Sequence, residues 1–398
     1  MTALEPNFTS CDIAEARANT PGLSSRIHLD NCGSSLPVRA VIEAQQTYMA
    51  LEMRVGGYVA QEQQSEKLSA VYHSLARLLG GQSSDYAFVG SAVDGWSKAF
   101  YSLQFKAGDN IVTAYNEYCA NFVAFLQRAK RDGIEIRVTR PDREGKLDLT
   151  HMESLIDKNT KLISMAHVPS SSGQIAPAEQ VGAIAKAHDI FFLLDTCQSV
   201  GQLPVNFERI GCDMATGTGR KFLRGPRGTG FMYMNEKVRA QIDPVVLTNQ
   251  AAAWVDDNTY ELRTDALVFE AWERSCVNQL GFGAAIDYLL ELGVEKTTRR
   301  IVDLSAYMRK GLASIKGVTP TCPKGAAAAI VTFNKEGWDA PDIKTAFEDK
   351  GIAVQVSRIF HERLDMGARG LETTVRTSPH YYNTREELDR FLNAVEDL

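Results

Sequence analysis

The sequence predicts an α/β fold: a large unit with a mostly parallel seven-stranded sheet, followed by a smaller C-terminal α+β unit. Three observations carry this expectation. Short apolar runs alternate with helical segments through the first two thirds of the chain. Those runs are continuous, without the polar–apolar alternation of a half-exposed strand. The alternation of strand and helix then ends near residue 250. Strands covered on both faces read as unbroken apolar runs, and strand–helix alternation is the signature of a parallel sheet flanked by crossover helices.

Residues 1–30 are expected to pack with the smaller unit, residues 31–250 to form the large unit and residues 251–398 the small one. Val41–Met53 and Gln64–Leu79 place apolar residues on one helical face. Strand Tyr86–Gly90 leads into helix Ala92–Leu103, and strand Asn110–Tyr115 into helix Asn121–Arg131. Strands Ile134–Thr139 and Leu162–Ala166 follow, then helix Ala178–Ala187 and strands Phe191–Asp195, Met214–Gly217 and Thr229–Tyr233. In the smaller unit Leu280–Leu292, Thr297–Ser314 and Ala340–Lys350 read as helices. Ala327–Phe333, Ile352–Gln355 and Thr373–Thr377 read as strands. Thr384 and Glu387 have the capping-box spacing that opens a last helix, Arg385–Val395.

With 398 residues the chain can bury a large core, and its net charge of -6 argues against nucleic acid as a partner. Its seven cysteines are scattered and form no CxxC pair, so neither a disulfide framework nor a zinc site is expected. The start, MTALEPNFTSCDIAEARA, lacks a basic segment followed by an apolar one, and no apolar run is long enough to span a bilayer. These features point to a cytoplasmic enzyme without a membrane partner.

The chemistry-bearing stretch is Thr216–Phe231, TGTGRKFLRGPRGTGF, in which Lys221 stands among small residues beside Arg220, Arg224 and Arg227. Upstream, the run FFLL ends in Asp195 at the mouth of a strand, and Gln198 follows. A buried carboxylate followed by a lysine in a glycine-rich turn is what pyridoxal 5'-phosphate requires. The acid keeps a pyridine nitrogen protonated, and the amine forms an imine. Taken alone, Asp195 also suits a turn or cap, and Lys221 a surface loop. A phosphate would find donors at a helix start: the Ser91 hydroxyl and the amides of Ala92 and Val93, with Thr218 and Arg220 adding a hydroxyl and a charge.

Asp195-x-x-Gln198, Thr218-Gly219-Arg220-Lys221 and Gly225-Pro226-Arg227-Gly228 resemble the class V aminotransferase, cysteine desulfurase-like group of fold type I pyridoxal-phosphate enzymes. The group includes isopenicillin N epimerase-like proteins and ergothioneine-pathway C–S lyases. The resemblance runs from His28-Leu29-Asp30-Asn31 to Ser378-Pro379-His380-Tyr381-Tyr382. It implies a homodimer acting on a small amino acid. It also implies that Tyr118 stacks on the cofactor ring, Gln198 reaches the phenolic oxygen and Ser170 replaces an asparagine near that oxygen. By the same likeness Arg376 clamps the substrate carboxylate. Asn31 and Tyr58 are expected on the substrate side, Tyr58 from an entrance loop at Arg54–Tyr58.

Two departures weigh on the reaction. The stretch Ser357–Gly370, SRIFHERLDMGARG, has no cysteine where a persulfide-forming desulfurase carries one, and Phe269-Glu270-Ala271-Trp272 lacks the threonine that relatives lend to a partner's phosphate site. Cys32 then stands out as a thiol on the substrate-side turn, with a buried packing role as the plainer account. The missing thiol and the Gly56-Gly57-Tyr58 segment favour a C–S lyase that eliminates a β-substituent from a cysteine conjugate or S-oxide, giving pyruvate and ammonia. A class V aminotransferase or an amino-acid epimerase are the alternatives, ahead of a cysteine desulfurase or a non-catalytic relative.

Overall fold

The computed structural model describes residues 8–398, so the part of the expected N-terminal segment that covers residues 1–7 lies outside the described residues. Seven strands form the main sheet: β1 (Tyr86–Val89), β2 (Asn110–Ala114), β3 (Glu135–Thr139), β4 (Thr160–Ala166), β5 (Phe191–Asp195), β6 (Met214–Thr218) and β7 (Gly230–Met234). Their order is β1-β7-β6-β5-β4-β2-β3. Strands β2 to β6 are parallel, and β7 is antiparallel to both β1 and β6.

Burial explains why the sequence shows no alternation in the central strands. In β5, Phe192 and Leu194 enter the core on one face while Leu193 enters the core on the other. Both faces need apolar side chains, so the run is continuous. Strand β3 lies at the edge, is mostly half-exposed, and carries Glu135 and Arg137, charges that blunt an open edge.

Helix Ala92–Tyr101 starts directly after β1, where the Ser91 hydroxyl oxygen accepts a hydrogen bond from the Asp94 amide at 3.1 Å. The chain at Gly230 passes so close that a Cβ there would lie 2.8 Å from the Ser91 carbonyl carbon. Only glycine lets β7 begin against this helix start. Helix Cys276–Leu292 packs on helices Arg39–Val55 and Ser65–Leu79.

A second, antiparallel sheet has the order β8-β9-β11-β10, with β8 (Val318–Pro320), β9 (Val331–Lys335), β10 (Gln355–Arg358) and β11 (Thr373–Thr377). Helices Val294–Ser314, Ala340–Asp349 and Arg385–Glu396 cover it through Met308, Phe347 and Phe391. The last of these opens on the capping box of Thr384 and Glu387. Near the N-terminus, Ile27–His28 pairs in parallel with Ile352–Ala353, and the Ser378 amide donates to the Leu29 carbonyl at 2.7 Å. These bonds bring residues 30–33 against the end of β11.

Several elements differ from the sequence expectation, among them short helices at Ser10–Ala18, Leu149–Ser154 and Arg363–Ala368 and strand β8. Gly56, at φ 85°, ends helix Arg39–Val55, and Gly57 opens another helix, Gly57–Gln63, where a loop was expected. An exposed hairpin, Ala252–Asp256 with Thr259–Leu262, was not foreseen. Among the described residues no helix is long and apolar enough to cross a membrane.

Candidate active site

A cleft holding about 600 Å³ of empty space, part of it open to solvent, lies at the carboxyl ends of β4, β5 and β6. This is where an open α/β sheet binds ligands. Every residue expected to hold or react with a cofactor lines it: Ser91, Ala92, Val93, Tyr118, Ser170, Asp195, Gln198, Thr218, Arg220 and Lys221.

Asp195 ends β5, and two donors fix its carboxylate. The Cys197 amide donates to Oδ1 at 2.9 Å, and Asn121 Nδ2 donates to Oδ2 at 3.0 Å. Asn121 lies in helix Cys119–Asp132 and also donates to Glu117 Oε1 at 3.0 Å. Glu117 receives the Tyr118 amide as well, at 2.8 Å, which ties the backbone of Tyr118 in place. Burial pushes the Glu117 carboxyl up to about 8, and the neighbouring Asp195 charge acts in the same direction. Glu117 is therefore mostly neutral near pH 7. Sequence reasoning missed Glu117 and Asn121. Their i, i+4 spacing around a helix start was the available signal.

Lys221 lies in the turn after β6 and is buried. The Arg224 amide donates to the Lys221 carbonyl at 2.9 Å, closing the turn, and Arg224 adopts φ 64°, a left-handed conformation uncommon outside glycine. Its guanidinium holds that geometry from outside the cleft. It donates to the Leu36 carbonyl at 2.9 Å, the Tyr381 hydroxyl at 2.8 Å and Thr20 Oγ1 at 2.6 Å. Arg224 thus braces the lysine turn and is turned away from any phosphate. Burial lowers the affinity of the Lys221 amine for a proton. Arg220 and Arg376 act in the same direction, and Cys197 and Asp195 oppose it.

At the other end of the cleft stands the start of helix Ala92–Tyr101. Its first amides have no intrahelical partner and present positive partial charge. Thr218 and Arg220 face the same space, although the Thr218 hydroxyl donates to the Thr229 carbonyl at 3.3 Å and Arg220 Nη1 donates to the Gly33 carbonyl.

The substrate-side residues divide. Arg376, on β11, is buried, and its Nη1 donates to the Ser170 carbonyl at 3.2 Å. Asp30 is its nearest acid, at 4.0 Å. Asn31 is buried, and its amide is used internally: Nδ2 donates to the Ser378 carbonyl at 2.7 Å, and Oδ1 accepts from the Tyr382 hydroxyl at 2.5 Å. It shapes the turn that carries Cys32, whose carbonyl accepts from Gln198 Nε2 at 3.0 Å. Tyr58 is not brought to this cleft. It sits 76% exposed beside Trp272 and Arg274 in a separate depression. Ser170 lines the cleft, but its hydroxyl donates to Glu362 Oε1 at 2.8 Å. Glu362 belongs to the stretch that lacks a cysteine, and nothing in its local sequence singles it out.

These residues fit pyridoxal phosphate. Ala92, Ala166 and Val168 give the cleft an apolar wall for a flat ring. Gln198 Oε1 is buried with no hydrogen-bond partner among the described residues. Each Asp195 oxygen accepts one bond and has capacity for another. Lys221 supplies the amine and the helix start the anion site.

Residues 27–391 match the aminotransferase class-V family. A protein of Methanothermobacter thermautotrophicus named a probable cysteine desulfurase is 27% identical over 391 residues, which cover 96% of this chain and 97% of that protein. A cysteine desulfurase of Yersinia pestis is 29% identical over 405 residues, covering 97% of this chain and 98% of the relative. The apo structure of a cysteine desulfurase from Thermococcus onnurineus superposes with a TM-score of 0.89 at 26% identity, over 96% of this chain and 97% of that one. These relatives overturn the expected C–S lyase. They carry the desulfurase name that the sequence reading placed behind lysis, transamination and epimerisation. One of the two features behind that ranking also falls away, because Gly57 and Tyr58 belong to a helix outside the cleft. By its match over nearly its whole length, and by a fold that gathers Lys221 and Asp195 into one cleft, this chain belongs to the class V aminotransferase family of pyridoxal-phosphate-dependent enzymes.

Proposed function

We propose that this enzyme removes the sulfur of cysteine and leaves alanine. The observation that carries the reading is the likeness to cysteine desulfurases, at 26–29% identity across nearly the whole chain. The site supports it with an amine and an acid in one cleft and a buried guanidinium, Arg376, bonded to the cleft residue Ser170. The balanced reaction is cysteine plus a thiol RSH giving alanine plus the persulfide RSSH. The Cβ–S bond breaks, an S–S bond forms, and carbon gains a proton. Ser357–Gly370 contains no thiol, so the acceptor RSH is expected from solution or from another protein.

Bound pyridoxal phosphate supplies an aldehyde for the substrate amine and a ring that takes up electrons. The protein's own groups do the rest. Asp195 would hold a proton at the ring nitrogen, and Tyr118 would lie against the ring. Gln198 would donate to the phenolic oxygen. Ser91, Ala92, Val93, Thr218 and Arg220 would hold the phosphate. Lys221, whose hold on a proton is weakened by burial, carries a proton to and from the substrate. Arg376 binds the substrate carboxylate, a planar anion that suits a guanidinium.

The test is incubation of the holoenzyme with L-cysteine and a reducing thiol, with alanine and sulfide both quantified. Equal yields of the two support the proposal. Pyruvate and ammonia in place of alanine, or no product, would sink it. Arg376→Ala is expected to raise KM roughly a hundredfold, equivalent to about 2.7 kcal/mol of lost binding, with a smaller change in kcat. An unchanged KM would remove Arg376 from the carboxylate site.

We also infer a homodimer. Met53, Tyr58, Trp254, Tyr260 and Trp272 are exposed large apolar side chains, and Tyr58 and Trp272 line one depression. Sedimentation at micromolar concentration is expected to give twice the chain mass, and a monomer there would refute the pairing.

A further inference from the structure

The thiol-free stretch between β10 and β11 carries a carboxylic acid, Glu362. Its side chain is fully buried. Oε1 accepts from the Ser170 hydroxyl and from the Ser171 amide, both at 2.8 Å. Oε2 is buried with no hydrogen-bond partner among the described residues. Ser170 links this acid to the guanidinium expected to bind substrate, because Arg376 Nη1 donates to the Ser170 carbonyl at 3.2 Å. Arg376 Nε, likewise buried, has no partner among the described residues. An acceptor and a donor therefore stand unsatisfied on either side of one serine that lines the cleft. Buried groups left in this way are costly unless a ligand or a proton completes them.

We propose that Glu362 is a positioning residue that sets the affinity for the substrate carboxylate: neutral, it fixes Ser170 and leaves the Arg376 guanidinium to the substrate, and ionised, it competes for that guanidinium. The inference rests on the amino-acid reading above. Burial pushes the Glu362 carboxyl up to about 7, Asp365 adds to that, and the bonds from Ser170 and Ser171 and the charge of Arg369 oppose it. From helix Cys119–Asp132, Cys119 also faces the acid. The charges of Cys32, Asp30, Glu362 and Tyr118 act on the Arg376 guanidinium, and its own charge reaches His361. The sign follows directly. Below the titration Glu362 carries no charge and the guanidinium is available. Above it a second carboxylate competes with the ligand, so affinity falls as pH rises.

The probe is propionate, which has a carboxylate and no amine to react. Its dissociation constant on the holoenzyme is measured by titration calorimetry from about pH 6 to about pH 9, a range in which propionate itself stays mostly ionised. The wild-type affinity is expected to fall about tenfold through neutrality, which is what loss of about 1.4 kcal/mol would produce. Glu362→Gln is expected to keep the acid-side affinity at every pH. Asp30→Asn is the control for the other nearby acid and is expected to retain the fall. Ser170→Ala removes a bond that favours ionised Glu362, so it should move the fall to higher pH. A wild-type profile that is flat, or a fall that survives in Glu362→Gln, overturns the proposal, and the wild-type profile decides even if the glutamine variant does not fold. Absence of propionate binding at every pH overturns it too, and takes the carboxylate role of Arg376 with it. A flat profile with intact binding leaves that role standing.

Discussion

Replacing Lys221 by alanine is expected to lower turnover by at least about a thousandfold, because it removes both the amine that joins the cofactor and the base that moves the substrate proton. Two measurements separate this from general damage. Borohydride treatment of the wild-type holoenzyme should add the cofactor's mass to the peptide containing Lys221, and the variant should gain none. The second measurement concerns stability. Burial, Arg220 and Arg376 hold the Lys221 amine below its ordinary value. An amine with a depressed value binds its proton more readily in the unfolded chain, so its contribution to stability declines as pH falls below the ordinary lysine value. Near neutrality the buried amine is therefore a burden on the apoprotein. Lys221→Met, similar in length and uncharged, is expected to unfold at the same or a higher temperature than the wild-type apoprotein. A catalytically dead variant that is also markedly less stable would mean that Lys221 is chiefly a structural residue.

How much of this site could be read from the sequence depended on how local its parts are. Lys221 and Asp195 announce themselves because each sits in a short segment of fixed chemistry, a glycine-rich turn and a strand end. The central strands were legible for a related reason: residues such as Leu193 and Leu194 face two different cores, so the run has to be apolar throughout. Parts that depend on distant segments were not legible. Asn121 reaches Asp195 across 74 positions and Glu362 reaches Ser170 across 192, and nothing near either residue in sequence marks that pairing. The hairpin Ala252–Leu262 escaped because its strands are almost wholly exposed. Without a buried face there is no hydrophobic period to detect. Gly56 and Gly57 suggested an entrance loop, yet one glycine closes a helix and the next opens another. The reaction itself was misread on that segment together with a missing thiol. A missing residue says which route to an acceptor is closed, and it leaves the bond to be broken undetermined.

Asp195→Asn is the second large effect. It should lower kcat by roughly a hundredfold to ten-thousandfold, about 3 to 5 kcal/mol of barrier, because an amide cannot hold a proton on the ring nitrogen. The substitution is nearly isosteric, so a loss on this scale would come from charge and hydrogen-bond polarity, with shape held constant. The local network sharpens the prediction. Both Asp195 oxygens accept from donors, the Cys197 amide and Asn121 Nδ2. An asparagine has one acceptor and one donor there, so one donor must face another, at a cost of about 1–3 kcal/mol in stability. Adding Asn121→Asp would remove one of the clashing donors and supply an acceptor in its place. The double variant is therefore expected to recover most of the lost stability while kcat stays low, since the new carboxylate begins from helix Cys119–Asp132 and not from the strand end. Neutral Glu117 beside it can donate a hydrogen bond to the new carboxylate, which makes the exchange tolerable in a buried site. Thermal unfolding and steady-state rates on the two variants measure the two effects separately. Equal recovery of rate and stability would mean that the position of the charge is unimportant, and that Asp195 acts through the fold and not on the ring.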